Sequence, residues 1–304
     1  MSFTSIVKNE LSKLELNKIE AISELSAILK NNSIITSDSI KITTENSSVA
    51  RHIFQNIKKL YLVTPKITVR KGYNYNKNYM YILELKNKKD LIVKDLSLNT
   101  NIPESYIFDD DTLTRSYLRG VFIASGSIND PKKSRYHLEF MVDNLEYATF
   151  VRDKLNIYYL NSKTIKRDNR YMIYVKEAEK IGDFLRMINA IQALLYFEDI
   201  RIYRDHKNMT NRLNNCEQAN VDKIIETANN QVKDIELIES IGGMDFLDDK
   251  VKIAALYRKK YTEASLTELS EIIGKETGHV ITKSGLHHRF NKIKELANKI
   301  RNKE

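Results

Sequence analysis

The sequence predicts an α+β fold, with two pseudo-symmetric αββαββα halves followed by an all-α segment. Three observations predict it. Helical and strand-like periods alternate through residue 197, and their order occurs twice. Asn78-Tyr79-Met80-Tyr81-Ile82 in the first half is echoed by Arg170-Tyr171-Met172-Ile173-Tyr174 in the second. Beyond Glu198 the strand-like alternation stops and only helical spacing continues. The expected divisions are 1–197, with halves of about 1–100 and 101–197, then a linker at 198–220 and a helical domain at 221–304.

Each element has its own signal. Ile19, Ile22, Leu25, Ile28 and Leu29 recur at helical spacing, and Ile34-Ile35 and Ile40 to Thr43 read as short strands. Val49 to Leu62 is again helical, Lys66 to Arg70 and Tyr79 to Leu85 form a strand pair around the turn-rich Gly72 to Asn78, and a short helix starts near Lys88. The second pass runs through a helix at Arg115 to Ser125, strands at Ser127-Ile128 and Tyr136 to Val142, and a helix at Leu145 to Leu155. Strands at Lys163 to Lys166 and Tyr171 to Lys176 flank Arg167-Asp168-Asn169-Arg170, and helical segments follow from Glu177 through Tyr196. Each half thus has a sheet with helices on one face and the other face open.

Composition narrows the function classes. Lys and Arg number 49 against 40 Asp and Glu, a formal net charge of +9, which favours polyanionic partners. A general richness in lysine accounts for part of that excess, so its clustering matters more than its sum. The single cysteine, Cys216, rules out an intrachain disulfide and a Cys-rich zinc site, and reads as a small buried residue in a helix–helix linker. His52, His137, His206, His279, His287 and His288 show no metal-ligand spacing, and neither a P-loop nor a dinucleotide-binding glycine fingerprint occurs. No apolar run reaches a membrane-spanning length and the N-terminus has no signal-peptide core, so the expected location is cytoplasmic, with no membrane partner and no cofactor.

Leu118-Arg119-Gly120-Val121-Phe122-Ile123-Ala124-Ser125-Gly126-Ser127-Ile128 closes a helix on a glycine and enters a strand. It resembles the core motif of LAGLIDADG homing endonucleases, with a weaker counterpart at Leu25 to Ile34. In that motif two helices pack at a pseudo-twofold axis, and small residues let the backbones approach; Gly120 and Ala124 fit, with Ala27 opposite, and Gly126 suits a left-handed helix end. The resemblance implies that each helix would end in a metal-holding carboxylate, but the register puts Asn32 and Ser125 there. Asp130 reads instead as the cap of a turn with Pro131. Cleavage by that mechanism is therefore not expected: catalytic residues none, metal none, enzyme no.

The C-terminal segment reads as a helix-turn-helix. Ser265 caps Leu266-Thr267-Glu268-Leu269 with Glu268 in capping-box position, Ile272-Ile273 and Gly274 end that helix, and Lys275 to Lys283 connect to the last one. That last helix turns Leu286, Phe290, Ile293, Leu296 and Ala297 inward and His287, His288, Arg289, Asn291 and Lys292 outward. Basic residues cluster over 279–304. The residues expected at base edges are Ser284, His287, His288 and Arg289, with Lys283 and Lys292 on phosphates.

The degenerate LAGLIDADG-like repeat, Asn211-Arg212 with Asn215-Cys216-Glu217 and Ala219-Asn220, the Lys283-Ser284-Gly285 helix with His288-Arg289, and the opening Met1-Ser2-Phe3 with Val7-Lys8 and Glu10-Leu11 together resemble the WhiA family of bacterial transcription factors. That resemblance implies a catalytically silent nuclease-derived domain joined to a helix-turn-helix, and roles in sporulation, cell division or the cell cycle. It implies double-stranded DNA as partner, with RNA polymerase or another transcription factor as a further one, and a nucleoid-associated location. By the same carry-over Lys66, Arg70, Lys71 and Lys77 in one half, and Lys163, Lys166, Arg167 and Arg170 in the other, lie where the nucleases grip DNA. Two alternatives stay open: a docking module on the transcription machinery, and an active endonuclease.

Overall fold

The computed structural model describes residues 2–71, 79–133 and 135–302. The expected turn at Gly72 to Asn78, with Lys77, lies outside the described residues, as do Lys303 and Glu304. The chain divides into two compact units, residues 1–204 and 205–304.

In the first unit α1 (Phe3–Leu11) precedes two repeats. The first is α2 (Lys18–Asn32), β1 (Ser33–Ile35), β2 (Ile40–Thr44), α3 (Ser47–Tyr61), β3 (Lys66–Lys71), β4 (Tyr79–Leu85) and α4 (Lys89–Asp95). The second is α5 (Asp111–Ser125), β5 (Gly126–Ile128), β6 (Leu138–Val142), α6 (Leu145–Ile157), β7 (Lys163–Arg167), β8 (Arg170–Val175) and α7 (Ala178–Met187). Both sheets are four-stranded and antiparallel with the same order, β1-β2-β4-β3 and β5-β6-β8-β7.

The repeat extends to single hydrogen bonds. Asn46 Oδ1 caps α3 by accepting from Ser48 N and Val49 N at 2.8 and 3.0 Å. Asn144 does the same for α6, from Glu146 N and Tyr147 N at 2.7 and 3.3 Å. The β7–β8 hairpin turns through Asp168 at φ 54°, a left-handed conformation that Asp tolerates better than most side chains. Asp130 caps its turn as its sequence suggests, accepting from Lys132 N at 2.9 Å.

Alternation along the strands decides where the core sits. Ile40, Ile42, Leu83 and Leu85 in one sheet, and Leu138, Phe140, Ile173 and Val175 in the other, are buried beneath α2 and α5 in one continuous core. Helix α1 belongs to that core through Phe3, Val7 and Leu11, which are buried at i, i+4 and i+8. Its Thr4 Oγ1 donates to Ile128 O and accepts from Ile128 N, both at 2.9 Å, so α1 closes the end of β5. Glu10 accepts from the backbone N–H groups of Gln192 and Ala193 at 2.7 and 2.9 Å, holding the start of α8 (Ile191–Ser240).

Residues 198–220 lie inside α8. Cys216 is exposed, against the expectation of a buried thiol. It lies in a stretch, residues 205–227, that is exposed throughout, so the thiol meets solvent and not a packed core.

The second unit builds its core from the end of α8 (Ile235, Ile238), α9 (Asp249–Lys260), α10 (Leu266–Thr277) and α11 (Lys283–Arg301). The capping box at Ser265 forms as the sequence predicts: Glu268 N donates to Ser265 Oγ at 3.2 Å and Ser265 N to Glu268 Oε2 at 2.7 Å. The end of α10 does not fall at Gly274. The helix runs on to Thr277 and stops where Gly278 turns left-handed at φ 73°, its N–H closing on Gly274 O at 3.1 Å. As expected, α11 buries Leu286, Phe290, Ile293 and Ala297, with Leu296 partly buried beside them.

Candidate nucleic-acid interface

Helices α2 and α5 meet along their length at the pseudo-twofold seam, and Gly120 is why they can. A Cβ on Gly120 would lie 2.3 Å from Glu24 O and 2.8 Å from Ala27 Cβ, so the backbones touch where the sequence placed Gly120 against Ala27. Gly126 has a different role from the one expected. Its φ is −78°, ordinary extended backbone; the glycine is needed because a Cβ would lie 2.3 Å from the Phe122 ring.

At the sheet-side end of this seam stand Asn32 and Ser125. Asn32 Nδ2 donates to Ala124 O at 3.4 Å, and Ser125 Oγ donates back to Val121 O at 3.1 Å. Asn32 and Ala124 line a cleft of about 600 Å³ together with Thr4, Lys8, Asn9, Thr43 and Asn46. Lys8 makes no ion pair among the described residues, although Glu45 lines the same cleft; its ammonium sits 5.8 Å from the Phe122 ring centroid. An amide, a hydroxyl and an ammonium do not fit a divalent cation, whose hard charge needs anionic oxygens. Among the described residues no three His, Cys, Asp or Glu side chains cluster as metal ligands.

Burial pushes the Lys8 ammonium down from its ordinary 10.5 to about 8. Below pH 8 both folded and unfolded chains hold this proton, and the cost of burying the charge is fully present. As pH rises from about 8 to 10.5 the folded chain gives up the proton first, so this group's contribution to stability rises. Lys8→Met is expected to stabilise the protein at pH 7 by about 3 kcal/mol and to remove that alkaline rise. A pH series of urea midpoints checks it, and equal slopes for both proteins would show that Lys8 is solvated.

Of the sheet residues named from the sequence, Lys66, Arg70, Lys163, Arg167 and Arg170 fall on one kind of surface, whereas Lys71 and Lys166 pair with Tyr79 and Tyr171 in the alternate register. Lys66, Thr68 and Arg70 oppose Glu84, Ile82 and Met80, on the side away from core residues Leu83 and Leu85. Lys163, Ile165 and Arg167 oppose Tyr174, Met172 and Arg170, away from Ile173 and Val175. Each sheet therefore presents basic residues on its coreless face. Their availability differs: Arg170 is tied to Asp143 Oδ1 at 2.6 Å and to Met141 O at 3.1 Å. Lys66, Arg70 and Lys163 make no ion pair among the described residues.

In the second unit Thr282 Oγ1 caps α11 by accepting from Gly285 N at 3.1 Å. Lys283, Ser284, His287 and His288 follow on its first turns, all exposed and at the i, i+3, i+4 spacing of one helix edge. Arg289 and Lys292 line one cleft with His288 and the start of α9, and both are engaged there. Arg289 is half-buried and donates to Lys250 O at 3.1 Å, while Lys292 lies 3.5 Å from Asp248 Oδ2.

Pattern reading missed the buried ionisable groups. Glu24 is fully buried in α2, with Oε1 2.5 Å from His52 Nε2 of α3 and Oε2 accepting from Arg119 Nε of α5. Arg119 Nη2 also donates to Ser116 Oγ at 3.2 Å. Arg258 of α9 is buried with no carboxylate partner among the described residues. Charged residue types ordinarily mark solvent, so nothing in the linear pattern signals these positions.

Three family models match the chain: the WhiA N-terminal LAGLIDADG-like domain at residues 18–99, the WhiA LAGLIDADG-like domain at 114–207, and the WhiA C-terminal HTH domain at 210–297. The "Probable cell division protein WhiA" of Staphylococcus aureus (strain JH9) is 41% identical over 313 residues, covering 100% of this chain and 99% of that protein. The crystal structure of full-length WhiA from Thermatoga maritima is similar at a TM-score of 0.61 and 25% identity, covering 98% of this chain and 99% of that one. The crystal structure of a WhiA N-terminal LAGLIDADG domain, also 25% identical, gives 0.50 over 62% of this chain and 90% of its own.

Proposed function

The chain belongs to the WhiA family, and from that premise we propose that it is a sequence-specific DNA-binding transcriptional regulator whose LAGLIDADG-like domain performs no cleavage. The observation that carries this reading is the first two turns of α11, where Lys283, Ser284, His287 and His288 lie together, exposed, in a domain matched by a helix-turn-helix family model. Side chains at the start of such a helix reach base edges in the major groove. Ser284, His287 and His288 read bases, and Lys283 contacts a phosphate; Arg289 and Lys292 join them by releasing their contacts to the start of α9.

Lys66, Arg70, Lys163, Arg167 and Arg170 supply sequence-independent contacts from the coreless sheet faces. Residues 1–197 form the silent domain, 198–220 connect, and 221–304 read DNA. Silence follows from chemistry: Asn32 and Ser125 bring no anionic oxygen to the seam, and Lys8 brings positive charge beside it. Such a protein works in the cytoplasm at the nucleoid, where RNA polymerase or another transcription factor is its further partner.

The test is binding of the full chain to genomic fragments at two salt concentrations, beside a His287→Ala/His288→Ala variant. Discrimination between cognate and non-cognate fragments is expected to fall by about 1–3 kcal/mol while salt-sensitive background binding persists. Unchanged discrimination would take base reading away from α11.

A further inference from the structure

Arg258 carries a full charge in a place that gives it no counter-charge. It is 1% exposed, and every bond it makes among the described residues is to a neutral acceptor. Nε donates to Gln231 Oε1 at 2.9 Å, and Nη1 lies 3.2 Å from Tyr261 O and 2.6 Å from Ala264 O. Nη2 has no acceptor among the described residues. Burial alone holds this guanidinium below its ordinary value, with no carboxylate to offset it. Its guanidinium carbon also lies 5.4 Å from the Phe290 ring centroid, but a buried cation met only by neutral groups remains costly.

The guanidinium does not stand in closed core. Arg258 lines a pocket of about 540 Å³ within the second unit, together with Lys223 and Thr227 of α8, Ser265 and Thr267 at the start of α10, and Lys283 at the start of α11. Lys223 and Lys283 are both exposed, so they stand at its mouth. The first turn of α10 adds backbone donors: Ser265 Oγ takes Glu268 N, which leaves the N–H groups of Leu266 and Thr267 without intrahelical acceptors. Glu268, the carboxylate that follows Thr267, is engaged by Ser265 N and does not line the pocket.

We propose that this pocket seats a phosphate group, with Arg258 as the buried cation and Lys223 and Lys283 closing over it. Three cations, three hydroxyls and a helix start converge on one volume, which is the donor set that phosphoryl oxygens need. The phosphate belongs either to a DNA backbone or to a free phosphorylated small molecule. The first source rests on the DNA-binding reading above, and the second does not.

Lys223→Gln is the informative variant. It lies on α8, outside the set of residues assigned to DNA, and its exposure keeps folding out of the result. Arg258→Gln would confuse binding with loss of its contacts to Tyr261 O and Ala264 O. Full-length protein is titrated by calorimetry with inorganic pyrophosphate against chloride at matched ionic strength, and separately with duplex DNA over a salt series. Lys275→Gln, at the far end of α10, serves as the charge control.

If the source is free phosphate, pyrophosphate binds and Lys223→Gln weakens it about five-fold or more, with Lys275→Gln unchanged. If the source is DNA, pyrophosphate does not bind. Lys223→Gln then lowers the slope of log affinity against log salt by about one. Should Lys223→Gln match Lys275→Gln in both titrations, the phosphate site is overturned. A chain that binds no duplex at all removes the DNA-binding reading and leaves the pyrophosphate titration to decide the pocket.

Discussion

Gly120→Ala is expected to destabilise the unit formed by residues 1–204 by about 3 kcal/mol, although alanine is the better helix former. The added methyl would sit 2.3 Å from Glu24 O and 2.8 Å from Ala27 Cβ. One of those atoms is backbone, so no rotamer change relieves the overlap, and α2 and α5 must separate. Separation also stretches the Asn32–Ala124 hydrogen bond and the Arg119–Glu24 contact. Hydrogen exchange in the full chain is the suitable measurement, because the loss of protection should concentrate in α2 and α5. Gly274→Ala is the matched control: the nearest atom to its Cβ would be His279 O at 3.9 Å. That change in mid-helix is expected to stabilise α10 by about 0.5–1 kcal/mol. Equal protection in the wild type and Gly120→Ala would mean that the seam is not close-packed.

The second large effect is at Glu24. Glu24→Gln keeps the shape of the side chain but leaves the Arg119 guanidinium and the His52 ring buried with no carboxylate between them. Breaking one member of a buried charged group in this way costs about 3–5 kcal/mol. The pH dependence gives an independent readout. Burial alone would push the Glu24 carboxyl up, but the His52 hydrogen bond and the Arg119 charge outweigh it and hold it below its ordinary 4.5. A folded-state value below the unfolded one means a contribution fully present above pH 4.5 and lost as pH falls through the folded value. Glu24→Gln should therefore start less stable at pH 7 and show a shallower loss of stability below pH 4.5 than the wild type. Denaturant midpoints from pH 7 to pH 3 test this; parallel acid limbs would mean that Glu24 exchanges its proton alike in both states.

Much of the first unit is legible because strands and helices announce themselves by period. Tyr79 to Leu85 reads as a strand and is one, and the two hairpins can be placed because alternation stops at their turns. The Asn46 and Asn144 caps came from the structure alone, although Glu45-Asn46-Ser47 and Asp143-Asn144-Leu145 occupy equivalent places after β2 and β6. The end of α10 was not readable. Gly274 and Gly278 stand one helical turn apart and either can end a helix; continuation to Thr277 follows from Ile273 packing into the same core as Leu286 and Phe290.

For the candidate site the division is sharper. Ser284, His287 and His288 were found because the apolar stripe Leu286, Phe290, Ile293 and Ala297 leaves only one face of α11 for them. Arg289 and Lys292 belong to that same pattern, yet their contacts to Lys250 O and Asp248 depend on where α9 begins.

By itself, the sequence determined the order of elements, the internal repeat and the exposed edge of α11, because each is written in local spacing, and the Gly120–Ala27 approach, because both copies of one helix motif carry small residues. Only the tertiary structure decided that Lys8 stands in the cleft beside Asn32, that Glu24 meets His52 and Arg119, and that Arg258 is buried among neutral acceptors. Those partners come from different helices, 28 and 95 positions apart in the case of Glu24. Periodicity tells which face of an element is apolar; which charged groups from distant segments share a buried space is settled only when the faces close on one another.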